Sequence, residues 1–251
     1  MRALIFAAGR GERMRPLSNT TPKPLLRAGG KRLIEWHLQA LARADMREVV
    51  INTSHLASQF PETLGDGSRY GVRIEYSYEG DIALETGGGM LHALPMLGSE
   101  PFVAVNGDIW TDFDFASLPR EPHGLAHLVL VDNPPHRAQG DFGINANGKL
   151  LPFADSPGAQ RTLTFAGIGV YRPEFLNDWH SVIGDAPGAS EHPPRFSITT
   201  LLRAAISNNQ IGWQQHTGAW FDIGTPQRLQ ELDARLREST EIDTIPTQPS
   251  P

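Results

Sequence analysis

Four short apolar runs, each but the last followed by a segment of helical spacing, restrict the first half of the chain to very few folds. Ala3 to Ala8, Glu48 to Asn52, Val72 to Tyr78 and Pro101 to Asp108 read as strands. The first is continuously apolar, as expected of a strand covered on both faces. Between them, Leu33 to Ala44 carries Ile34, His37, Leu38 and Leu41 at helical spacing, and helices are also expected over about His55–Leu64 and Gly89–Leu97. A βαβαβαβ order implies a mostly parallel sheet with helices on both faces.

The second half changes character. Leu125 to Val131 and Leu163 to Tyr171 read as strands, and Phe142 to Phe153 contains the turn Asn145-Ala-Asn-Gly148, which predicts a hairpin. Ser197–Ser207 is expected to be helical, and Ala219–Ile223 a short strand before a helix over Pro226–Leu236. No repeat or linker divides these elements, so the expectation is one α/β domain over residues 1–238, with polar, proline-rich residues 239–251 as a disordered tail. The β-rich second half should lie over the sheet's C-terminal edge, where ligands bind in such folds.

The loop after the first strand, AAGRGERMRP from Ala7 to Pro16, narrows the ligand. As a dinucleotide fingerprint it has Met14 where a third Gly or Ala belongs, and Pro16 interrupts the helix that should open there. No acid ends the second strand to hold a ribose diol, and no Gly-Lys-Ser/Thr follows as a Walker loop would require. What remains is a long glycine-bearing loop whose amides suit phosphates, with Arg13 and Lys23 as cations. Pro22 and Pro24 restrict the backbone on either side of Lys23 and give a long side chain a fixed base.

Two aspartates complete the pattern. Val105-Asn-Gly-Asp108 and Trp220-Phe-Asp222 each set a carboxylate at the end of an apolar strand, and Thr225 is the better candidate to cap the last helix. Two carboxylates suit magnesium, which takes few protein ligands and fills its shell with phosphate oxygens and water. Leu84-Glu-Thr-Gly-Gly-Gly-Met90 lies between a strand and a helix, and three glycines imply close approach by something bulky. A nucleobase on bare backbone, with Glu85 or Thr86 at its polar edge, fits that reading.

Composition excludes several alternatives. A net charge of −6 argues against wrapping nucleic acid, and the absence of cysteine removes disulfides, thiolate catalysis and Cys-based zinc sites. With 39% hydrophobic and 20% charged residues the chain is not expected to be disordered. It has no apolar run of membrane-spanning length, and the N-terminal run is too short for a signal peptide, so cytoplasmic residence is the expectation.

Taken in order, AAGRGERMRPLSNTTPKPL, LETGGG, VNGD and WFDIGTP resemble the sugar-phosphate nucleotidyltransferase family, from Met1 to about Arg237. The resemblance implies a Rossmann-like, mostly parallel sheet flanked by helices, with a nucleotide-binding half over about residues 1–120 and a smaller β-rich sugar-binding half over about 121–238. It implies magnesium-dependent transfer of a uridylyl group from UTP to a sugar 1-phosphate. Other nucleotide and sugar pairs are the enzymatic alternative: GTP with mannose 1-phosphate, or dTTP with glucose 1-phosphate. A non-catalytic nucleotide-sugar sensor of the same fold is a third. Carried over by motif, Ala7, Ala8 and Gly9 would bind base and ribose, Gly11 and Arg13 would face the β- and γ-phosphates, and Lys23 would reach the reacting centre. Glu85, Thr86 and Gly87 align with a second base-recognition segment, and Asp108 and Asp222 would hold Mg2+. Lys23, Arg13 and Asp108 form the catalytic set. Gly140, Asp141, Thr164 and Gly167 match segments that line the sugar pocket, while His136, Arg137, Arg161 and Arg195 are candidate cations for an acidic sugar. The chain departs from the common Gly-Thr-Ala-Gly at Glu85-Thr-Gly-Gly88, and it lacks a family-like acid after Phe142. It also ends soon after Asp222, without the long C-terminal β-helix some relatives assemble through, so a monomer is expected.

Overall fold

The computed structural model describes residues 1–243, with side chains through residue 238. At its centre lies β1 (Ala3–Phe6), whose side chains alternate between two cores: Ala3 and Ile5 on one face, Leu4 on the other. After the glycine-bearing loop comes a small antiparallel ribbon, β2 (Arg27–Ala28) with β3 (Lys31–Arg32). Helix α1 (Leu33–Arg43) then buries Leu33, Ile34, His37, Leu38 and Leu41 along one stripe, as its apolar spacing predicts. Each buried leucine stabilises this packing by roughly 2 kcal/mol.

The first half continues through β4 (Glu48–Thr53), α2 (Gln59–Leu64), β5 (Arg73–Tyr78), α3 (Glu85–Leu97) and β6 (Phe102–Asn106). Strands β4 and β6 flank β1 in parallel, and β5 is parallel beyond β4. Because the chain fills one side of β1 with β4 and β5 before crossing to β6 on the other, strand order reverses at β1. The crevice outside the C-terminal ends of β1 and β6 is therefore the ligand-binding position for such a sheet. Register brings those ends level: Phe6 lies opposite both Asn52 and Asn106.

The second half adds β7 (Ile109–Thr111), β8 (Ala126–Val131) and the hairpin β9 (Phe142–Asn145) with β10 (Leu150–Leu151). It goes on through β11 (Ala159–Tyr171), α4 (Trp179–Ile183), α5 (Ile198–Ser207), β12 (Ile211–Gln215), β13 (Trp220–Asp222) and α6 (Pro226–Asp243). Strand β11 joins the halves: its C-terminal part runs antiparallel between β6 and β8, and its N-terminal part pairs with β9. Among the described residues the result is a mixed, mostly parallel α/β sheet of nine strands, with β7 and β13 forming a separate antiparallel pair.

Three expectations need correction. The helix expected from His55 begins only at Gln59, because residues 55–58 turn, with Leu56 at positive φ. Helix α3 starts at Glu85, not Gly89, so the glycine run lies inside a helix. Helix α6 runs on to Asp243, beyond the start of the expected tail, and residues 244–251 of that tail lie outside the described residues.

Candidate active site

A cavity of about 570 Å³ opens at the crevice, lined by Ala7, Ala8, Gly9, Gly11 and Arg13 from the loop after β1 and by Lys23 and Asp108. Its size is that of a small-ligand site. Gly9 has open space where a side chain would stand, so its backbone faces the cavity bare. At Gly11, φ is +59° and a Cβ would sit 3.3 Å from that of Lys23, so both conformation and space favour glycine. Ser18 Oγ donates to the Gly11 carbonyl at 2.8 Å and steadies the turn. Met14, the residue that breaks a dinucleotide fingerprint, is fully buried under α6 with Leu229 and Leu232.

Lys23 opens a single 3-10 turn, Lys23–Leu25, and is 7% exposed. Its ammonium donates to Asp108 Oδ2 at 2.7 Å, so the buried stem delivers its charge to the cavity wall. Asp108 follows Gly107, where a side chain would collide with the Phe6 carbonyl, so glycine lets the β6 end approach β1 closely. Behind Asp108, His37 on α1 meets the Ile109 carbonyl through Nε2 at 2.9 Å; burial pushes its pKa down to about 4, so the ring is neutral and this nitrogen donates.

Asp222 comes to the same end of the crevice through β-pairing: it lies opposite Ile109, and Ile223 N–H donates to the Asp108 carbonyl at 2.9 Å. Its Oδ1 accepts from Arg228 at 2.6 Å and lies 2.9 Å from His136 Nε2. Thr225 Oγ1 accepts from Arg228 N–H at the start of α6, so Asp222 is spared from capping. The guanidinium groups of Arg13 and Arg228 both reach within 4 Å of the site a Gly224 side chain would take. Lys23 is thus paired with Asp108 on the cavity wall, while Asp222, which is not itself among the wall residues, is paired with Arg228 beside it.

Glu85, at φ +61°, and Thr86 line the opposite wall. Gly87 does not line the cavity; its N–H donates to the Phe196 carbonyl at 2.9 Å, and a Cβ there would press into the Phe196 ring. Gly88 meets the Pro194 carbonyl and Gly89 the carboxylate of Glu79 in the same way. The glycines do admit a bulky neighbour, but that neighbour is protein. This corrects the reading in which they were left bare for a base.

The four residues expected at the sugar are not among the cavity's walls. Thr164 is 1% exposed and its hydroxyl donates to Asn133 Oδ1 at 2.9 Å; Gly140, at φ +71°, packs on the same asparagine. Asp141 accepts from Phe165 N–H at 2.9 Å and pairs with Arg137. Gly167, at φ +75°, lies against Asn106, which does line the cavity. Of the candidate cations, Arg195 pairs with Glu191 and Glu85, and Arg161 donates to Gln215.

Several site residues escaped the sequence reading: Asn52, Glu79, Asn106 and Gly224 line the cavity, and Arg228 holds Asp222. Asn52 and Asn106 end strands at the switch point, and a polar residue in that position is the signal that marks them. Glu79 follows β5 as a buried acid, its pKa raised by desolvation. Arg228 sits in an ordinary amphipathic helix and carries no local signal.

The chain has a glycine loop and a buried lysine at the switch point, with Asp108 on the cavity wall and Asp222 held beside it by strand pairing, and it belongs to the nucleotidyl transferase family, whose model matches residues 2–239. It is 46% identical over 241 residues to N-acetylmuramate alpha-1-phosphate uridylyltransferase of Neisseria meningitidis serogroup B, covering 93% of this chain and 97% of that one. The enzyme of the same name from Caulobacter vibrioides is 31% identical over 249 residues, covering 94% and 97%. A crystal structure of a Bacillus anthracis protein described as a glucose-1-phosphate thymidylyltransferase superposes with a TM-score of 0.79, covering 99% of this chain and 97% of that one at 20% identity, and so shares the fold.

Proposed function

We propose that this chain transfers a uridylyl group from UTP to N-acetylmuramate α-1-phosphate, giving UDP-N-acetylmuramate and diphosphate, in bacterial cell-wall recycling. The first half would hold UTP and the β-rich half would cover the sugar. The observation that carries the reading is the Lys23–Asp108 pair at 2.7 Å between the glycine loop and the β6 end, with Asp222 brought alongside by β7 and β13.

The sugar-phosphate oxygen is already ionised near neutral pH, so attack needs no general base. That oxygen forms a bond to the α-phosphorus, the bond to the bridging oxygen breaks, and diphosphate leaves with the electron pair. The protein's task is to bring two polyanions together and to stabilise charge building on the leaving group. Lys23 and Arg13 supply fixed positive charge along the phosphates, and the loop backbone from Ala8 to Gly11 supplies close approach. Asp108, with its side chain 45% exposed, and Asp222 suit a magnesium ion as a pair of hard oxygen donors. Among the described residues there is no larger acid or histidine cluster, so phosphate oxygens and water would have to complete the shell. Bound there, the metal would neutralise phosphate charge and align the reacting groups.

Diphosphate release across UTP, GTP and dTTP against N-acetylmuramate, glucose and mannose 1-phosphates, with and without Mg2+, tests the reading. Only UTP with N-acetylmuramate 1-phosphate should give full turnover, and only with the metal. Equal or faster turnover of another pair would replace the substrate assignment. Lys23→Met should lower kcat on the order of 10²-fold, the cost of a lost preorganised donor, with the circular dichroism spectrum unchanged.

A further inference from the structure

Three backbone segments that frame the cavity are tied by two buried side chains. Ala7 N–H donates to Asn52 Oδ1 at 2.6 Å, Asn52 Nδ2 donates to Glu79 Oε1 at 2.5 Å, and Leu84 N–H donates to Glu79 Oε2 at 2.8 Å. Asn52 is 2% exposed and Glu79 is 5% exposed, and both line the cavity. The chain of bonds begins at the foot of the glycine loop, crosses the ends of β4 and β5, and finishes one residue before Glu85. Gly89 on α3 leaves room for it, since a Cβ there would sit 2.7 Å from Asn52 Nδ2 and press on Glu79.

Its direction is fixed from both ends. Ala7 and Leu84 present N–H groups, which only donate. Asn52 must therefore turn its carbonyl oxygen to Ala7 and its amide nitrogen to Glu79. Glu79 must then accept on both oxygens, which a carboxylate does and a glutamine cannot. We propose that Asn52 and Glu79 are positioning residues that lock the Ala7–Gly9 rim to the Glu85–Thr86 rim and so set the mouth that receives the nucleotide. This rests on the reading of the cavity as a nucleoside triphosphate site.

The polarity gives a sharp test. In Glu79→Gln one end of the amide opposes a donor whichever way it turns, either Asn52 Nδ2 or Leu84 N–H. In Asn52→Asp two carboxylates face each other. The double variant, Asn52→Asp with Glu79→Gln, restores every pair. The carboxylate introduced at position 52 accepts from Ala7 N–H and from the amide nitrogen introduced at position 79, whose amide oxygen accepts from Leu84 N–H. UTP affinity is measured by calorimetry with Mg2+, alongside KM, kcat and the thermal midpoint. Each single variant is expected to weaken UTP binding roughly tenfold or more, as a buried unsatisfied donor or acceptor does. The effect should fall on KM for UTP more than on kcat, and the double variant should return to within about threefold of the parent, the recovery a coupled pair shows. Singles with parental UTP affinity, with or without a lowered thermal midpoint, would overturn the proposal, as would a double variant no better than the weaker single. If a single variant does not fold, the double variant decides alone: restored UTP affinity supports the relay and lost affinity overturns it. A parent that binds UTP, with variants that bind it equally well, would sink the relay only. A parent that binds none of UTP, GTP and dTTP would sink the nucleotide reading with it.

Discussion

His37 shows how a side chain packed behind a cavity wall is also a stability element. Its Nε2 holds the Ile109 carbonyl, one residue past Asp108, and burial takes its pKa from 6.5 to about 4. The folded protein therefore resists protonation there, while the unfolded chain does not. His37 contributes stability above pH 6.5 that is lost as pH falls toward 4, about 3 kcal/mol across that window. Urea unfolding at a series of pH values should show this loss, and His37→Gln, which can still donate to the carbonyl, should flatten the dependence. An equal slope in the variant would assign the acid lability elsewhere. At this scale Lys23, Arg13, Asp108 and Gly11 were legible in the sequence, because charge and chain punctuation within a few residues announced them, and the structure places them around one cavity. Asn52 carries a strand-end signal that was passed over, and the bond that joins it to Glu79 was not legible at all. Their roles depend on hydrogen bonds among three strand ends, which no local spacing encodes.

Among the elements, the N-terminal turn of α3 was the hardest to read. Three consecutive glycines lose roughly 1 kcal/mol each against alanine in a helix, so propensity alone assigns them to a loop. Packing overrides it, because segment 194–196 leaves no space for a Cβ at Gly87 or Gly88, and Glu79 and Asn52 leave none at Gly89. Gly88→Ala therefore sets two effects against each other. Propensity would gain about 1 kcal/mol. Against that, the new methyl would press into the Pro194 carbonyl, which is backbone and cannot swing aside. Overpacking of this kind costs about 1–3 kcal/mol. The variant should be less stable than the parent by up to about 2 kcal/mol in chemical denaturation; a stabilised variant would mean that segment 194–196 yields easily. The hairpin β9–β10 was readable for the opposite reason. Its turn is stabilised from within, with Asn145 Oδ1 accepting from both Asn147 and Lys149 N–H groups.

For the whole molecule, the order of strands explains why the site draws on both ends of the chain. Alternation of apolar runs was enough to predict the parallel half with ligands at the C-terminal edge of its sheet, while the reversal of strand order at β1 came from the pairing. The pairing of β13 with β7, which seats Asp222 beside Ile109, was beyond local reading because two three-residue strands far apart in sequence carry no shared pattern. That pairing has a consequence for the folded state as a unit. If Asp108 and Asp222 share a metal with the phosphates, UTP binding ties the last strand and α6 to the first half, and the bound form resists unfolding as one body. At a UTP concentration near 100 times Kd the gain is about 2.7 kcal/mol. For a chain of this size that raises the thermal midpoint by roughly 5–10 °C. The shift should need Mg2+ and UTP together, since neither completes the other's contacts alone. Asp222→Asn should reduce it to a small fraction while leaving the midpoint of the free protein close to the parent's, because Arg228 and His136 remain hydrogen-bonded to their other partners or to water. A full shift in Asp222→Asn at limiting Mg2+ would remove Asp222 from the metal site and leave Asp108 to hold it with phosphate alone.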